Sequence, residues 1–393
     1  MDTFDSYKRE LENILQYWSS VVFDKDRDRF YGKVDEDNHP DEHAPLGAVM
    51  YSRILWSFSA AYQLVPDPRY LEMAQKAYNY LITAFSDEVY GGVFWTIDSN
   101  GNPDEDKKQI YALAFAIYGL SEFYRINPQK KAVEQAIALY ELIEKYSYDP
   151  IKEGYLEAFN KDWSLADDLR LSKKDSNEKK TMNTHLHIME AYVNLYKIWP
   201  DENLANKIKN IIHIFSKYII DPQTNHLGLF FDENWKSKSN IVSYGHDIEA
   251  SWLLCEAAEI LKDEILLFNI REQAIKITRA VAEILTEDGG LNYEYEPDQG
   301  HLFTDKHWWV QAEASVGFLN AWQISGDRYY FTLFEKSWNF IDRHIIDKVN
   351  GEWFWGIDNN HQLMPKQDKA GIWKCPYHNT RCILEIINRL VTN

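Results

Sequence analysis

The chain has 393 residues, 45 % of them hydrophobic, and its 61 Asp and Glu against 42 Lys and Arg leave a formal net charge of −19. So acidic a surface excludes nucleic acid, anionic membranes and acidic polymers as partners, because a phosphate backbone demands a basic face; a neutral substrate fits. The N-terminal stretch MDTFDSYKRELENILQYW is charged throughout and no apolar run approaches the length of a membrane span, so neither a secretory signal nor an anchor is expected and the location is expected to be cytoplasmic.

Three cysteines, Cys255, Cys375 and Cys382, form an odd set with no CxxC spacing and read as reduced thiols. Aromatic residues reach 15 %, with 14 Trp and 25 Tyr. Such a content serves either a bulky core or a cleft whose indoles pack on the C–H faces of a sugar, and composition alone leaves both open.

A charged helix over about 4–22 opens the chain, followed by RFYGKVD (29–35), an aromatic segment beside a glycine. Two helical patterns follow, over 51–64 and 68–85, separated by VPDP at 65–68. YGGVFWTID (90–98) restarts the cycle, with helices over 109–126 and 130–146 broken by NPQ at 127–129. EGYLEAFN (153–160), HLGLFFDENW (226–235), GGLNYEY (289–295) and NGEWFWGID (350–358) open the remaining cycles, with WPDE at 199–202 and SGD at 325–327 between paired helices. A last helix covers about 376–391.

The aromatic–glycine segments recur about every sixty residues, stretched once beyond seventy. A period this long marks a repeat architecture. Each segment reads as a short strand or hairpin, and the intervening apolar spacings of three and four read as amphipathic helices. Twelve helices in six repeats predict an all-α (α/α)6 barrel, two concentric rings of six with short β-hairpins between repeats, in one catalytic domain over 1–393. The helix after each short strand is the less charged of its pair, as QIYALAFAIYGL shows against KKAVEQAIALYELIEKY, and is expected in the inner ring. All six inner helices then start at one mouth.

Polar and aromatic residues recur at those starts: Arg53, Tyr111, His187, His246, the pair Trp308 and Trp309, and His378. Ser243 is expected to cap the helix of His246, Asn183 or Thr184 that of His187, and Pro376 to occupy the first position of the last helix. A histidine in a first turn feels the positive end of the helix dipole, which favours the neutral, proton-accepting imidazole. His185 lies two residues from His187, too near along a helix to share its face, and His307 adjoins the Trp pair. His39, His43, His213, His226, His301, His344 and His361 carry no such marks and read as structural. Among the acids, Glu249 and Glu190 stand three residues after His246 and His187, placed to orient an imidazole or bind a hydroxyl. Glu313, Asp247 and Asp175 complete the acidic candidates. Paired carboxylates would instead support glycoside hydrolysis through Glu249, Glu313 or Asp247. No HExxH or cysteine-rich pattern points to a metal.

At SRILW (52–56), MNTHLHIMEAY (182–192), SYGHDIEASWLL (243–254), HWWVQAEASVGFLNAW (307–322) and WKCPYHNTR (373–381) the chain resembles the N-acylglucosamine 2-epimerase superfamily. The resemblance implies an (α/α)6 barrel and epimerisation at C2 of a reducing-end sugar without metal or cofactor. It implies His246 and His378 as the acid/base pair, His187 as a hydrogen-bonding histidine and Arg53 as the cation beside a developing oxyanion. Tyr111, Asn183 and Glu249 are implied as hydroxyl contacts, and Trp309 and Trp373 as stacking platforms. Trp308 and Trp252 are expected to line the same region, and Glu313 to bind substrate. Asp175 falls in a loop, KKDSNEKKT, that departs from the family pattern. The expected reaction is inversion of the reducing-end glucose of a β-1,4-linked disaccharide such as cellobiose or lactose, by a monomer. Inversion of an N-acylglucosamine, mannose isomerisation, glycoside hydrolysis and non-catalytic sugar binding are the alternatives.

Overall fold

The structure, a computed structural model, describes residues 3–391. Helices α2 (Ala48–Leu64), α4 (Ile110–Ile126), α6 (Met182–Tyr196), α8 (Tyr244–Ile260), α10 (Trp308–Ser325) and α12 (Tyr377–Val391) each pack on the next, and α12 returns to α2. This closed inner ring is clad by α3 (Pro68–Thr83), α5 (Lys130–Leu142), α7 (Glu202–Ile214), α9 (Glu264–Ala282), α11 (Arg328–Phe340) and α1 (Thr3–Ser20), which pack on α2, α4, α6, α8, α10 and α12 respectively. The chain is therefore an (α/α)6 barrel. Among the described residues no helix is long and apolar enough to cross a membrane.

The division into rings follows from side chains. In α4 every residue from Ile110 to Phe123 is buried, so the helix is enclosed on all sides. Its partner α5 buries only Ala132, Ala136, Leu139 and Tyr140, a single stripe against the ring. Gly119 lets α4 approach α2: a Cβ there would lie 2.6 Å from the carbonyl oxygen of Ser52.

The two rings start their helices differently. Asp67, Asp201, Asp263 and Asp327 cap the outer helices α3, α7, α9 and α11 through their carboxylates, which explains the Pro and Asp breaks. Inner helices are mostly held instead by backbone from the next repeat. The first N–H groups of α2, α4, α6 and α10 donate to the carbonyls of Trp95, Glu157, Leu229 and Trp355 at 2.9–3.1 Å.

The same segments form short antiparallel ladders. Leu46–Gly47 pairs with Thr96–Ile97, Lys108–Gln109 with Ala158–Phe159, and Lys180–Thr181 with Phe230–Phe231. Val242–Ser243 pairs with Glu294–Tyr295, and Lys306–His307 with Gly356–Ile357. A bridge between Ala370 and Val34 closes the circuit. The expected short hairpins are present: Phe23–Asp24 with Arg29–Phe30, Glu294–Glu296 with His301–Phe303, and single antiparallel bridges of Ser86 with Val93, Tyr148 with Tyr155, Ile220 with Leu227, Leu285 with Leu291 and Ile346 with Trp353. The five ladders described first join consecutive repeats.

Candidate active site

The six inner starts surround a cavity of about 430 Å³, lined among others by Arg53, Tyr111, Asn183, His187, His246, Glu249, Trp308, Trp309, Trp373 and His378. Asp175 lines it from the loop that precedes Lys180–Thr181. Its carboxylate accepts from the Ser172 backbone N–H at 2.8 Å.

Trp309 stands between two histidines, its ring 4.8 Å from that of His246 and 5.7 Å from that of His378. His246 has a hydroxyl partner: its Nδ1 lies 2.8 Å from Ser243 Oγ. Ser243 occupies the N-cap position of α8 but makes no capping bond, since its hydroxyl serves the imidazole. Burial pushes His246 down to about 4, so its imidazole is neutral at physiological pH.

His378 and His187 have carboxylate partners. His378 Nδ1 lies 2.7 Å from Glu313 Oε1, and His187 Nδ1 lies 2.9 Å from Glu190 Oε2. Burial holds both imidazoles below their ordinary range. Beneath them lies Arg381, whose Nη2 donates to Glu249 at 2.5 Å and to Glu313 at 2.6 Å, while Nη1 donates to Glu190. Burial alone would raise Glu190, but Arg381 and His187 hold it at about 2. Glu249, Glu313 and His378 converge closely enough to hold a cation, and the Arg381 guanidinium already supplies positive charge to both carboxylates.

Arg53 reaches the cavity from α2 and donates to the Tyr111 hydroxyl at 2.9 Å. Its guanidinium lies 4.1 Å from the Phe115 ring centre and 4.7 Å from that of Tyr377. Arg53 Nε, Asn183 Oδ1 and Trp308 Nε1 are buried without a hydrogen-bond partner. Buried polar groups are ordinarily satisfied, so three orphans spaced around the cavity suit a polar ligand there.

Several expectations are corrected. Glu249 does not orient His246; it binds Arg381. Glu313 does not line the cavity, but lies behind His378 and accepts from Trp252 Nε1 at 3.0 Å. Trp252 is fully buried beneath these carboxylates and lines a different cavity of about 370 Å³. That cavity contains no histidine, and its Arg125 and Lys197 are already paired with Glu122 and Glu256. Asp247 is bound by His226 at 2.7 Å and by the Leu227 N–H, away from the site. Thr181, rather than Asn183 or Thr184, caps α6, and Pro376 stands one residue before α12. His185 is structural: its Nδ1 faces the Thr181 carbonyl at 2.6 Å and its Nε2 accepts from the Tyr155 N–H at 2.9 Å.

Arg381, Tyr293, His307 and Trp355 were not singled out in the sequence. The last three line the cavity, and His307 stacks on Tyr293 with ring centres 4.0 Å apart. The spacing gives a usable signal for Arg381. It follows His378 by three residues, as Glu249 follows His246 and Glu190 follows His187.

Residues 29–382 match the model of the N-acylglucosamine 2-epimerase (GlcNAc 2-epimerase) family. A cellobiose 2-epimerase of Bacteroides fragilis is 48 % identical over 374 residues, 95 % of either chain. One from Ruminococcus albus is 39 % identical over 379 residues, 96 % of either chain. The solved structure of cellobiose 2-epimerase from Bacillus thermoamylovorans superposes with a TM-score of 0.94 at 38 % identity, covering 99 % of this chain and 100 % of that one.

Proposed function

The chain belongs to the N-acylglucosamine 2-epimerase family, and from that premise we propose that it inverts C2 of the reducing-end glucose of β-1,4-linked disaccharides, converting cellobiose to glucosyl-mannose and lactose to epilactose. The observation that carries this reading is the pair of imidazoles, His246 and His378, on either side of Trp309 in a cavity that also holds Arg53. The similarity to cellobiose 2-epimerases along nearly the whole chain supports the disaccharide.

The chemistry asks for two proton-transferring groups and one cation. A C2 proton becomes acidic only once the ring opens to the C1 aldehyde. One imidazole removes that proton, leaving a cis-enediolate. Arg53, with Tyr111 on its guanidinium, stabilises the charge that gathers on the oxygens. The second imidazole, entering this step as the imidazolium, gives its proton to the opposite face of C2, which inverts the centre and leaves the first imidazole protonated and the second neutral; the reverse reaction exchanges their roles. Buried, neutral imidazoles suit the base role, and Glu313 stabilises the imidazolium that forms on His378. His187 binds the reducing end, Asn183 and Glu249 the hydroxyls. Trp309, Trp373 and Trp308 hold the sugar faces, with Asp175 reaching in from the loop. No step calls on a cofactor or metal. Proton return to C1 instead gives a ketose, so a slower aldose–ketose isomerisation accompanies the reaction. A hydrolase would need an acid and a second carboxylate across the scissile bond; Glu313 and Asp247 do not reach the cavity. We read the protein as a cytoplasmic monomer.

Incubation with cellobiose in D2O, followed by NMR, tests the reading. Deuterium at C2 of a new glucosyl-mannose is expected. Free glucose would replace the reading with hydrolysis, and unchanged cellobiose would remove the disaccharide as substrate.

A further inference from the structure

Outside the cleft, two histidines read as structural in the sequence come together with an aspartate. Asp288 lies in the turn after α9, His344 in the π-helical turn Ile341–Ile345 that ends α11, and His361 in the loop after Gly356–Ile357. We propose that Asp288, His344 and His361 form a binding site for a borderline divalent transition metal of the zinc type, which would staple these three segments.

The donor atoms support this. One ligand atom from each residue lies within 4.8 Å of the other two. His361 Nε2 is 3.0 Å from Asp288 Oδ2, and the two imidazole rings are centred 4.5 Å apart. Ligands on a tetrahedral zinc lie roughly 3.3 Å apart, so small side-chain rotations suffice. Neither ring nitrogen of His344 has a hydrogen-bond partner among the described residues; its ring packs on Phe340 and His361. Asp288 has the support that metal-binding carboxylates have: its other oxygen accepts from the Thr286 hydroxyl at 2.5 Å, leaving Oδ2 to face the imidazoles.

The contrast with the cluster of Glu249, Glu313 and His378 sharpens the assignment. There Arg381 binds both carboxylates. Among the described residues no lysine or arginine forms an ion pair with Asp288, whose partner is His361. Two imidazoles with one carboxylate select zinc, nickel or copper over magnesium or calcium, which prefer oxygen alone. Asp288 and His361 are exposed, so an ion can enter from solvent. None of the three lines the sugar cavity, so the ion would act on stability, not on turnover.

Isothermal titration with zinc chloride at pH 7.5, on protein stripped with EDTA and desalted, tests the site. Saturable binding of one equivalent is expected, weakened about ten-fold or more in His344→Ala and in His361→Ala. Zinc should raise the melting temperature of the parent chain and leave both variants unchanged, with the basal sugar turnover of all three alike. Absence of saturable binding overturns the proposal. So does binding that both variants retain in full, since other histidines would then carry it.

Discussion

The Nδ1 of His378 and a carboxylate oxygen of Glu313 lie 2.7 Å apart across two neighbouring inner helices, and the same oxygen accepts from Arg381. The carboxylate thus fixes the tautomer of the imidazole and stabilises its protonated form without facing the sugar. Glu313→Gln keeps the shape and removes the charge. Its kcat should fall by about a hundred-fold or more with KM little changed. A near-normal kcat would mean that His378 needs no such partner.

Arg53 is tested by a change that keeps charge but loses shape. Its guanidinium donates to Tyr111 while lying over the rings of Phe115 and Tyr377, and an ammonium lacks the planar fork to do both. Arg53→Lys should lower kcat by roughly a hundred-fold, as when a donor to a developing oxyanion is lost. Steady-state kinetics on cellobiose, with circular dichroism to confirm folding, decides it.

Ser243 and Thr181 occupy matching N-cap positions but do different work. Thr181 accepts from the Thr184 N–H, whereas the Ser243 hydroxyl is given to His246. Thr181→Ala should therefore cost at least about 1 kcal/mol of stability, since it removes both the cap and a hydrogen bond to buried Glu157. Ser243→Ala should leave stability within about 0.5 kcal/mol and lower kcat several-fold. Urea denaturation beside kinetics distinguishes them, and equal stability losses would show the distinction to be wrong.

Burial holds His246 at about 4, against 6.5 for a free imidazole. The neutral base persists above that value and is lost only below it. The acid limb of kcat/KM assigned to His246 should therefore lie well below the range of a free imidazole. A limb near 6.5 would show that His246 is not the base or that the cavity is far wetter than its burial implies.

Glu157 titrates in the opposite sense. It is buried beneath the hydroxyls of Thr181 and Thr184, and burial pushes its carboxyl up to about 7 despite those hydrogen bonds. Its folded value exceeds its unfolded one, so the folded state binds the proton more tightly. The associated stability is full below the unfolded value of 4.5 and is lost as pH rises through 7. Relative to Glu157→Gln, the parent chain should lose up to about 3 kcal/mol between pH 4.5 and 7.5. Chemical denaturation of both proteins across that range measures the difference, and a constant gap refutes the shift.

Chelation should leave turnover intact. Arg381 supplies the positive charge that Glu249 and Glu313 require. Activity after EDTA treatment and desalting should match the untreated enzyme; a loss restored by added metal would overturn the histidine mechanism.

The parts of this molecule written in local sequence were legible, and those written across repeats were not. Hydrophobic spacing and the recurring aromatic segments outlined twelve helices and their starts, since each depends on neighbours within a few turns. The mouth residues followed, because a shared phase in each repeat implies a shared height in the barrel. Depth along a helix was harder to read. Trp252 stands six residues beyond His246, about 9 Å further down the axis, which takes it below the cavity and under Glu313. Arg381 was missed because its importance lies in three carboxylates from α6, α8 and α10 that only the closed ring brings together. The pairing of strands across repeats left no trace in sequence, since each ladder joins very short segments about fifty residues apart.

Those ladders act as a belt. Each inner helix start is tied to the backbone of the following repeat, and the bridge from Ala370 to Val34 joins the last to the first. No single start can swing outward without breaking hydrogen bonds to its neighbour. The loop around Ser172 to Asp175 lines the cavity outside that belt, so it can be altered while the spacing of the three histidines stays fixed.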